Sequence, residues 1–425
     1  MNLPVIPHLE WLPVLAVGLA AFARPGLAHN LGFATLLALF GAWIFGTAGA
    51  LLAVPAAGAG MLFLVGNRNR RLSCLGRLAA GGAAMGGAVL YGVFPVPELP
   101  ETGGRFQVGT RIVEIPQGGP VDPPLVAQVW YPSRHSAGLV ARWLPDVTLA
   151  PSFPFHRIAA ARIKATVDAP VASGTEPWPV IFYEHGWLGH RNENVAQVLA
   201  LASRGFVIVA VDHPGQARQI NYRNGKSFPG TLPTMPDFSS AAAIASFENE
   251  ARRLMADRTR QIERTRAALA GRLIGDLGET ARWSRMGVFG FSFGGSTALH
   301  LCASHPDFVA GANQDGLHLD VGEPRGPFLF FDQEMPPWLL EKPSPQENAE
   351  MAMVRKAEQR ILQSMKGSDR ARHILQGTTH LSFTDRLFYS PLPWISRTGN
   401  RHPHEVHEAI VGPLASFFQK HLEGP

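Results

Sequence analysis

Gly290-Phe291-Ser292-Phe293-Gly294 is the stretch on which the reading of this chain turns. It has the form G-x-S-x-G. A short apolar run, Met286–Phe289, precedes it, and a small-residue stretch with helical spacing, Ser296–Ser304, follows. A strand that passes into a helix within so few residues must bend sharply, and the positions flanking the bend must lack side chains that collide. Gly290, Gly294 and Gly295 meet that need. The bend lifts the serine hydroxyl clear of a sheet and sets it at a helix N-terminus, where positive potential favours developing negative charge. Ser292 is therefore the expected nucleophile.

Reading outward, short β-branched runs of the kind buried in a parallel sheet recur at Val180–Tyr183, Phe206–Val211, Val309–Ala312, Phe328–Phe331 and His373–Leu375. Gln107–Ile115 alternates like a half-buried strand, with Val126–Tyr131 as its partner. Helical stretches lie between several of these, notably Asn194–Ser203. Strand, crossover and strand repeated this often predict a doubly wound, mostly parallel α/β domain over 105–425. Ala217–Phe247 is too long for a simple connection and is expected to form part of a lid. After it, Phe247–Leu277 reads as a long Arg-rich helix with apolar residues at Leu254, Ile262, Leu269 and Leu273.

A serine hydroxyl needs a base, and the base needs an orienting acid. In a sheet of this kind the chain order is serine, acid, histidine. His380 follows the last predicted strand, in Gln376-Gly377-Thr378-Thr379-His380, and is the expected base. Asp315 ends the strand after the nucleophile helix, and Asp332 ends the next one. Spacing alone leaves these two even, with Asp320 as a third candidate. Two backbone N–H groups must face the oxyanion. One is expected from Phe293, the other from the loop Glu184-His185-Gly186-Trp187-Leu188-Gly189, with Trp187 as the donor and Leu188 as the alternative. Phe291, Leu381 and Phe383, with Trp187 and Phe293, would make an apolar acyl pocket. Such chemistry needs neither a metal nor an organic cofactor.

His185-Gly186, Ser203-Arg204-Gly205-Phe206 leading into Val211-Asp212-His213, the run Gly290–Gly295, Asp315 and Thr379-His380 together resemble the platelet-activating factor acetylhydrolase group of the α/β-hydrolase fold. The resemblance runs from about Gln107 to His380. It implies a calcium-independent phospholipase A2-like enzyme that releases short acyl chains from lipid-like esters through an acyl-enzyme. It also implies that the acid comes from the turn after the strand following the nucleophile, which is Asp315.

The 425 residues are 46% hydrophobic and 17% charged, apolar for a soluble enzyme. The first 94 residues hold three apolar runs: Trp11–Ala23, short for a span, the much longer Leu31–Val65, and Leu78–Phe94. They are expected to form an all-α transmembrane region of three or four spans in contact with membrane lipids. Arg68, Arg70, Arg71 and Arg77 would mark the cytoplasmic side, placing the catalytic domain on the other side of the membrane. Residues 95–104, rich in Pro, Gly and Glu, read as a linker. The net charge of +5 comes almost wholly from scattered arginines, with only six lysines, and so points to no nucleic-acid partner. The two cysteines, Cys74 and Cys302, lie in different segments and indicate neither a disulfide framework nor a zinc cluster.

Overall fold

In the computed structural model residues 93–423 are described, apart from 117, 120–122, 135–136, 147–148, 152–154, 175 and 343–346. Two compact units are present. The large one, built from 99–146, 162–388 and 393–423, is organised on a ten-stranded mixed sheet. Its strands are β1 (Gln107–Ile115), β2 (Leu125–Ser133), β3 (Val140–Arg142), β4 (Arg162–Val167), β5 (Trp178–Glu184), β6 (Val207–Asp212), β9 (Ala281–Phe291), β10 (Phe308–Gln314), β11 (Phe328–Gln333) and β12 (Arg370–Leu375). A separate hairpin pairs β7 (Gln219–Asn221) with β8 (Ser227–Pro229).

The sheet order is β12-β11-β10-β9-β5-β6-β2-β1-β4-β3. From β12 to β6 all neighbours are parallel, whereas β2 joins both β6 and β1 antiparallel. Every residue of β2, β5 and β6 is buried. Strands covered on both faces cannot show an apolar–polar alternation, which is why β5 and β6 read in the sequence as apolar runs. The covering helices are α1 (Val195–Ala202), α2 (Ala241–Ala270), α3 (Phe293–Ser304), α4 (Ala349–Ser364) and α5 (Pro403–Leu422). One layer holds α1 and α5, the other α2, α3 and α4.

The chain leaves β5 towards β6 on one side and later places β9 on the other side of β5. This reversal of winding direction opens a crevice beyond the carboxyl ends of β5 and β9, the place where open α/β sheets bind ligands. The loop at Trp187 follows β5, and Ser292 follows β9.

Ahead of this domain an all-α transmembrane region was expected. Among the described residues no helix is long and apolar enough to cross a membrane. The apolar runs behind that expectation, and the non-cytoplasmic location argued from them, lie in 1–92, outside the described residues, save for Val93 and Phe94. The fold is corrected to an α/β sheet with helices on both faces. The helix read over Phe247–Leu277 begins earlier, at Ala241, because Ser240 accepts the Ala243 N–H and caps it. It ends at Ala270, so Leu273 falls in a separate turn and is 41% exposed. The stretch 99–104, read as linker, is held on the end of α1, where Arg204 Nη1 donates to the Thr102 carbonyl at 2.6 Å.

The small unit gathers the described parts of 93–98 and 147–161 with Tyr389–Leu392. Within it Ser390 Oγ donates to the Val93 carbonyl at 2.7 Å, and the Phe155 ring packs on Phe94 and Tyr389.

Candidate active site

β9 ends at Phe291, and α3 begins at Phe293. Ser292 alone makes the turn, at φ 54° and ψ −122°. A non-glycine residue in that region costs about 1–3 kcal/mol and persists only where its surroundings hold it. Here the Ser292 N–H donates to the Gln314 carbonyl of β10 at 2.8 Å, and its carbonyl accepts from Gly295 and Ser296. The glycines are required by contact. A Cβ on Gly294 would lie 2.0 Å from the Glu184 carbonyl oxygen, and one on Gly290 would lie 2.3 Å from Gly294.

The Ser292 hydroxyl lies 3.0 Å from His380 Nε2, and His380 Nδ1 lies 2.5 Å from Asp315 Oδ2. The second carboxylate oxygen of Asp315 accepts the Gln333 N–H at 2.9 Å. Asp315 itself sits at φ 57°, just past the end of β10. These three residues come from sites 23 and 65 residues apart in the chain, and the parallel register of β9, β10 and β11 sets them side by side.

His380 opens a one-turn 3-10 helix, His380–Phe383, capped by reciprocal bonds between Thr379 and Ser382. The loop is pinned to the start of α1. Buried Asp385 accepts the N–H groups of Val195 (2.6 Å) and Ala196 (3.1 Å), and the Phe383 carbonyl accepts from Asn194 (2.7 Å) and Gln197 (3.1 Å). Burial pushes the Asp385 carboxyl well above the usual carboxylate range, against those two amide bonds.

Asp332, even with Asp315 on spacing, is turned elsewhere. It accepts from Arg372 Nε at 2.7 Å, and Arg372 also grips Glu358. Burial pushes Asp332 up to about 6, with Arg372 pulling the other way. An unfolded aspartate titrates near 3.8. Between those two values the folded chain therefore binds the extra proton, and this contribution to stability is complete at low pH and lost as pH rises through 6. Asp332→Asn is expected to remove that slope. Thermal unfolding of both proteins between pH 4 and pH 7 checks it, with the wild type losing ground to the variant as pH rises. Asp320 is exposed and paired with Arg360 at 3.2 Å.

The N–H groups of Trp187 and Phe293 donate to no protein acceptor among the described residues. Trp187 is half-buried. Its ring packs edge-on against Phe293, with centroids 5.5 Å apart, and against Phe247 at 5.9 Å. Its indole N–H donates to the Pro233 carbonyl at 2.8 Å. The segment Ala217–Phe247 thus divides in two. Its first part is the β7–β8 hairpin, which packs Ile220 on Val126. Its second part reaches the Trp187 ring. Beside that ring lies a cavity of about 650 Å³ lined by Gln216, Leu232, Phe247, Leu254 and Gln261 among others.

Of the other residues expected around the acyl group, Phe291 is buried with its ring 4.7 Å from the His380 ring, and Leu381 and Leu188 are half-buried. Leu188 is held at φ 51°, and its side chain approaches Gly230. Phe383 is fully buried in the loop that carries His380. His185 is buried with Nδ1 2.8 Å from the Gly186 carbonyl, and burial, reinforced by Arg258, holds its pKa well below the ordinary value.

Sequence reading missed two charged residues behind the Trp187 loop. Glu193 Oε2 accepts the Gly186 N–H at 2.9 Å. Arg258, on α2, is fully buried and donates to the His185 carbonyl at 2.8 Å. For Arg258 a signal existed. It stands four residues after Leu254 and four before Ile262, on the apolar stripe of the predicted helix, where a cation has no reason to be unless it is paired.

A strained serine between strand and helix, a histidine and an acid delivered in that chain order, and two open amides beyond the sheet's switch point define the α/β-hydrolase fold. The sequence agrees. Residues 179–349 match the family model described as alpha/beta hydrolase fold, and residues 92–229 match that of platelet-activating factor acetylhydrolase, isoform II. The platelet-activating factor acetylhydrolase of Cavia porcellus is 22% identical over 262 residues, 53% of this chain and 57% of that protein. The chain thus matches a little over half the length of that curated relative. A ferulic acid esterase from Streptomyces cinnamoneus superposes with a TM-score of 0.55 at 22% identity, over 77% of this chain and 94% of that one.

Proposed function

We propose that the chain is a serine carboxylic ester hydrolase that works through an acyl-enzyme on short-acyl, lipid-like esters. The observation that carries the reading is the continuous line from Asp315 through His380 to Ser292, at 2.5 and 3.0 Å, beside two open amides. His380 Nε2 takes the hydroxyl proton as Ser292 Oγ attacks the ester carbonyl. The Trp187 and Phe293 N–H groups receive the oxyanion, and Asp315 stays ionised and holds the ring. The imidazolium then protonates the departing alcohol. Water, deprotonated by the same ring, releases the acid.

The matches to platelet-activating factor acetylhydrolase support the short-acyl, lipid-like part of the reading. So does the aromatic wall at Ser292 made by Phe291, Phe293 and Trp187. The part of Ala217–Phe247 that holds the Trp187 indole is read as a lid over the site. A series of glycerophospholipids and p-nitrophenyl esters from acetyl to palmitoyl tests the substrate class. The expected result is the highest kcat/KM at two to four carbons. A maximum at twelve carbons or more would overturn the short-acyl reading while leaving the ester hydrolase.

A further inference from the structure

We infer that Arg258 is a positioning residue for the oxyanion hole, holding from the α2 side the peptide that aims the Trp187 N–H. The inference rests on the reading of Ser292 as nucleophile and adds a group that no sequence motif marks.

The His185 carbonyl and the Gly186 N–H belong to the same peptide unit. Arg258 Nη1 holds its oxygen at 2.8 Å, and Glu193 Oε2 holds its N–H at 2.9 Å. A peptide gripped at both ends by opposite charges cannot rotate about the chain axis. The next unit is the Gly186 carbonyl with the Trp187 N–H. Its oxygen takes His185 Nδ1–H at 2.8 Å and the Gly189 N–H at 3.1 Å. A carbonyl only accepts, so His185 carries its proton on Nδ1, and Nε2 is left to accept the His213 N–H at 3.4 Å. The Trp187 N–H is the one end of this pair of planes left open. Glycine at 186 is the hinge between them, so without these grips the donor would wander.

Arg258 is itself held. Its Nε donates to Gln216 Oε1 at 2.9 Å, and Nη1 lies 3.4 Å from Glu184 Oε2. That carboxylate also meets His213 Nε2 at 2.9 Å, and His213 Nδ1 lies 2.7 Å from Gln261 Oε1. The guanidinium carbon stands 4.9 Å from the ring centre of Phe293, the residue whose N–H is the other oxyanion donor. One buried cation therefore touches the supports of both donors. Burying a guanidinium is costly unless it is fully paired. A leucine at 258 would satisfy the stripe of Leu254 and Ile262, so stability of the helix does not explain the arginine. A fork that reaches the Gln216 amide oxygen through Nε and the His185 carbonyl through Nη1 does.

The test measures kcat, KM and the affinity of a trifluoromethyl ketone for wild type, Arg258→Met and Arg258→Lys. Rates are expressed per site titrated by a fluorophosphonate. The expected result for Arg258→Met is a fall in kcat of about 10²-fold, with KM within about threefold and ketone affinity falling in step with kcat. Arg258→Lys recovers part of the loss, because an ammonium restores the charge but not the fork. A residue that merely supports the fold would lower the number of titratable sites and leave kcat per site alone, and a kcat per site within threefold of wild type in Arg258→Met overturns the inference. Where Arg258→Met does not fold, Arg258→Lys decides. A loss of about tenfold per site is expected there, and full wild-type turnover overturns the role. A wild type that titrates no serine overturns the enzymatic reading itself, a result distinct from either of these.

Discussion

Ser292→Ala is expected to abolish fluorophosphonate labelling and to lower kcat on p-nitrophenyl acetate by about 10⁶-fold, leaving only what the oxyanion amides and binding supply. The size follows from the chemistry. Once Oγ is gone, no serine proton passes to His380 and no covalent intermediate forms, so turnover is left to water acting beside the oxyanion amides. The change should be close to neutral for stability. Among the described residues the hydroxyl bonds to His380 Nε2 at 3.0 Å, and alanine adopts the strained turn no more readily than serine. A folded variant with wild-type melting and no labelling is thus the expected outcome. Turnover by Ser292→Ala at the wild-type rate would sink the proposed function.

The second large effect separates two aspartates that look alike in the sequence. Asp315→Asn is expected to lower kcat by about 10⁴-fold, because an amide facing His380 Nδ1 favours the wrong tautomer and cannot stabilise the imidazolium. Asp332→Asn should leave kcat within a few-fold of wild type, since its carboxylate serves Arg372 at 2.7 Å and reaches neither ring nor hydroxyl. The pair is measured together, as kcat per titrated site at pH 7.5. A large loss in Asp332→Asn alongside a small one in Asp315→Asn would reverse the assignment of the acid.

The contrast between those two residues shows where reading the chain stops. Both stand at the ends of consecutive buried strands, β10 and β11. Strand pattern places a residue at the rim of the sheet but does not say which way its side chain turns. That is decided by the backbone past the strand end. Asp315 sits at φ 57° and is swung towards His380, while Asp332 is still in β11, opposite Ile374 of β12, and is reached diagonally by Arg372 two residues earlier on that strand. Phe383 makes the same point. It follows His380 closely in sequence, yet the 3-10 turn carries it into the interior and uses its carbonyl to tie the loop to α1.

Some features were legible because they are local. The Gly-Phe-Ser-Phe-Gly bend declares itself through steric need, and the unbroken apolar runs of β5, β6 and β9 declare a sheet covered on both faces. The order of serine, acid and histidine follows from the topology those runs imply. Other features could not be read. The strand pairs β1–β4 and β3–β4 at the far edge involve strands of three to nine residues with little apolar signal. The apolar runs before residue 93 lie outside the described residues, among which no helix is long and apolar enough to cross a membrane.

The local chain chemistry determined the bend at Ser292, the alternation of strand and helix, and the histidine that follows the last strand, because each depends on neighbours a few residues away. Which carboxylate meets that histidine, and which charges steady the peptide in front of Trp187, were decided only in three dimensions. Gly186 and Glu193 share the loop between β5 and α1, whereas Arg258 comes from α2, so the grip on the His185 carbonyl exists only once α2 has closed over that loop.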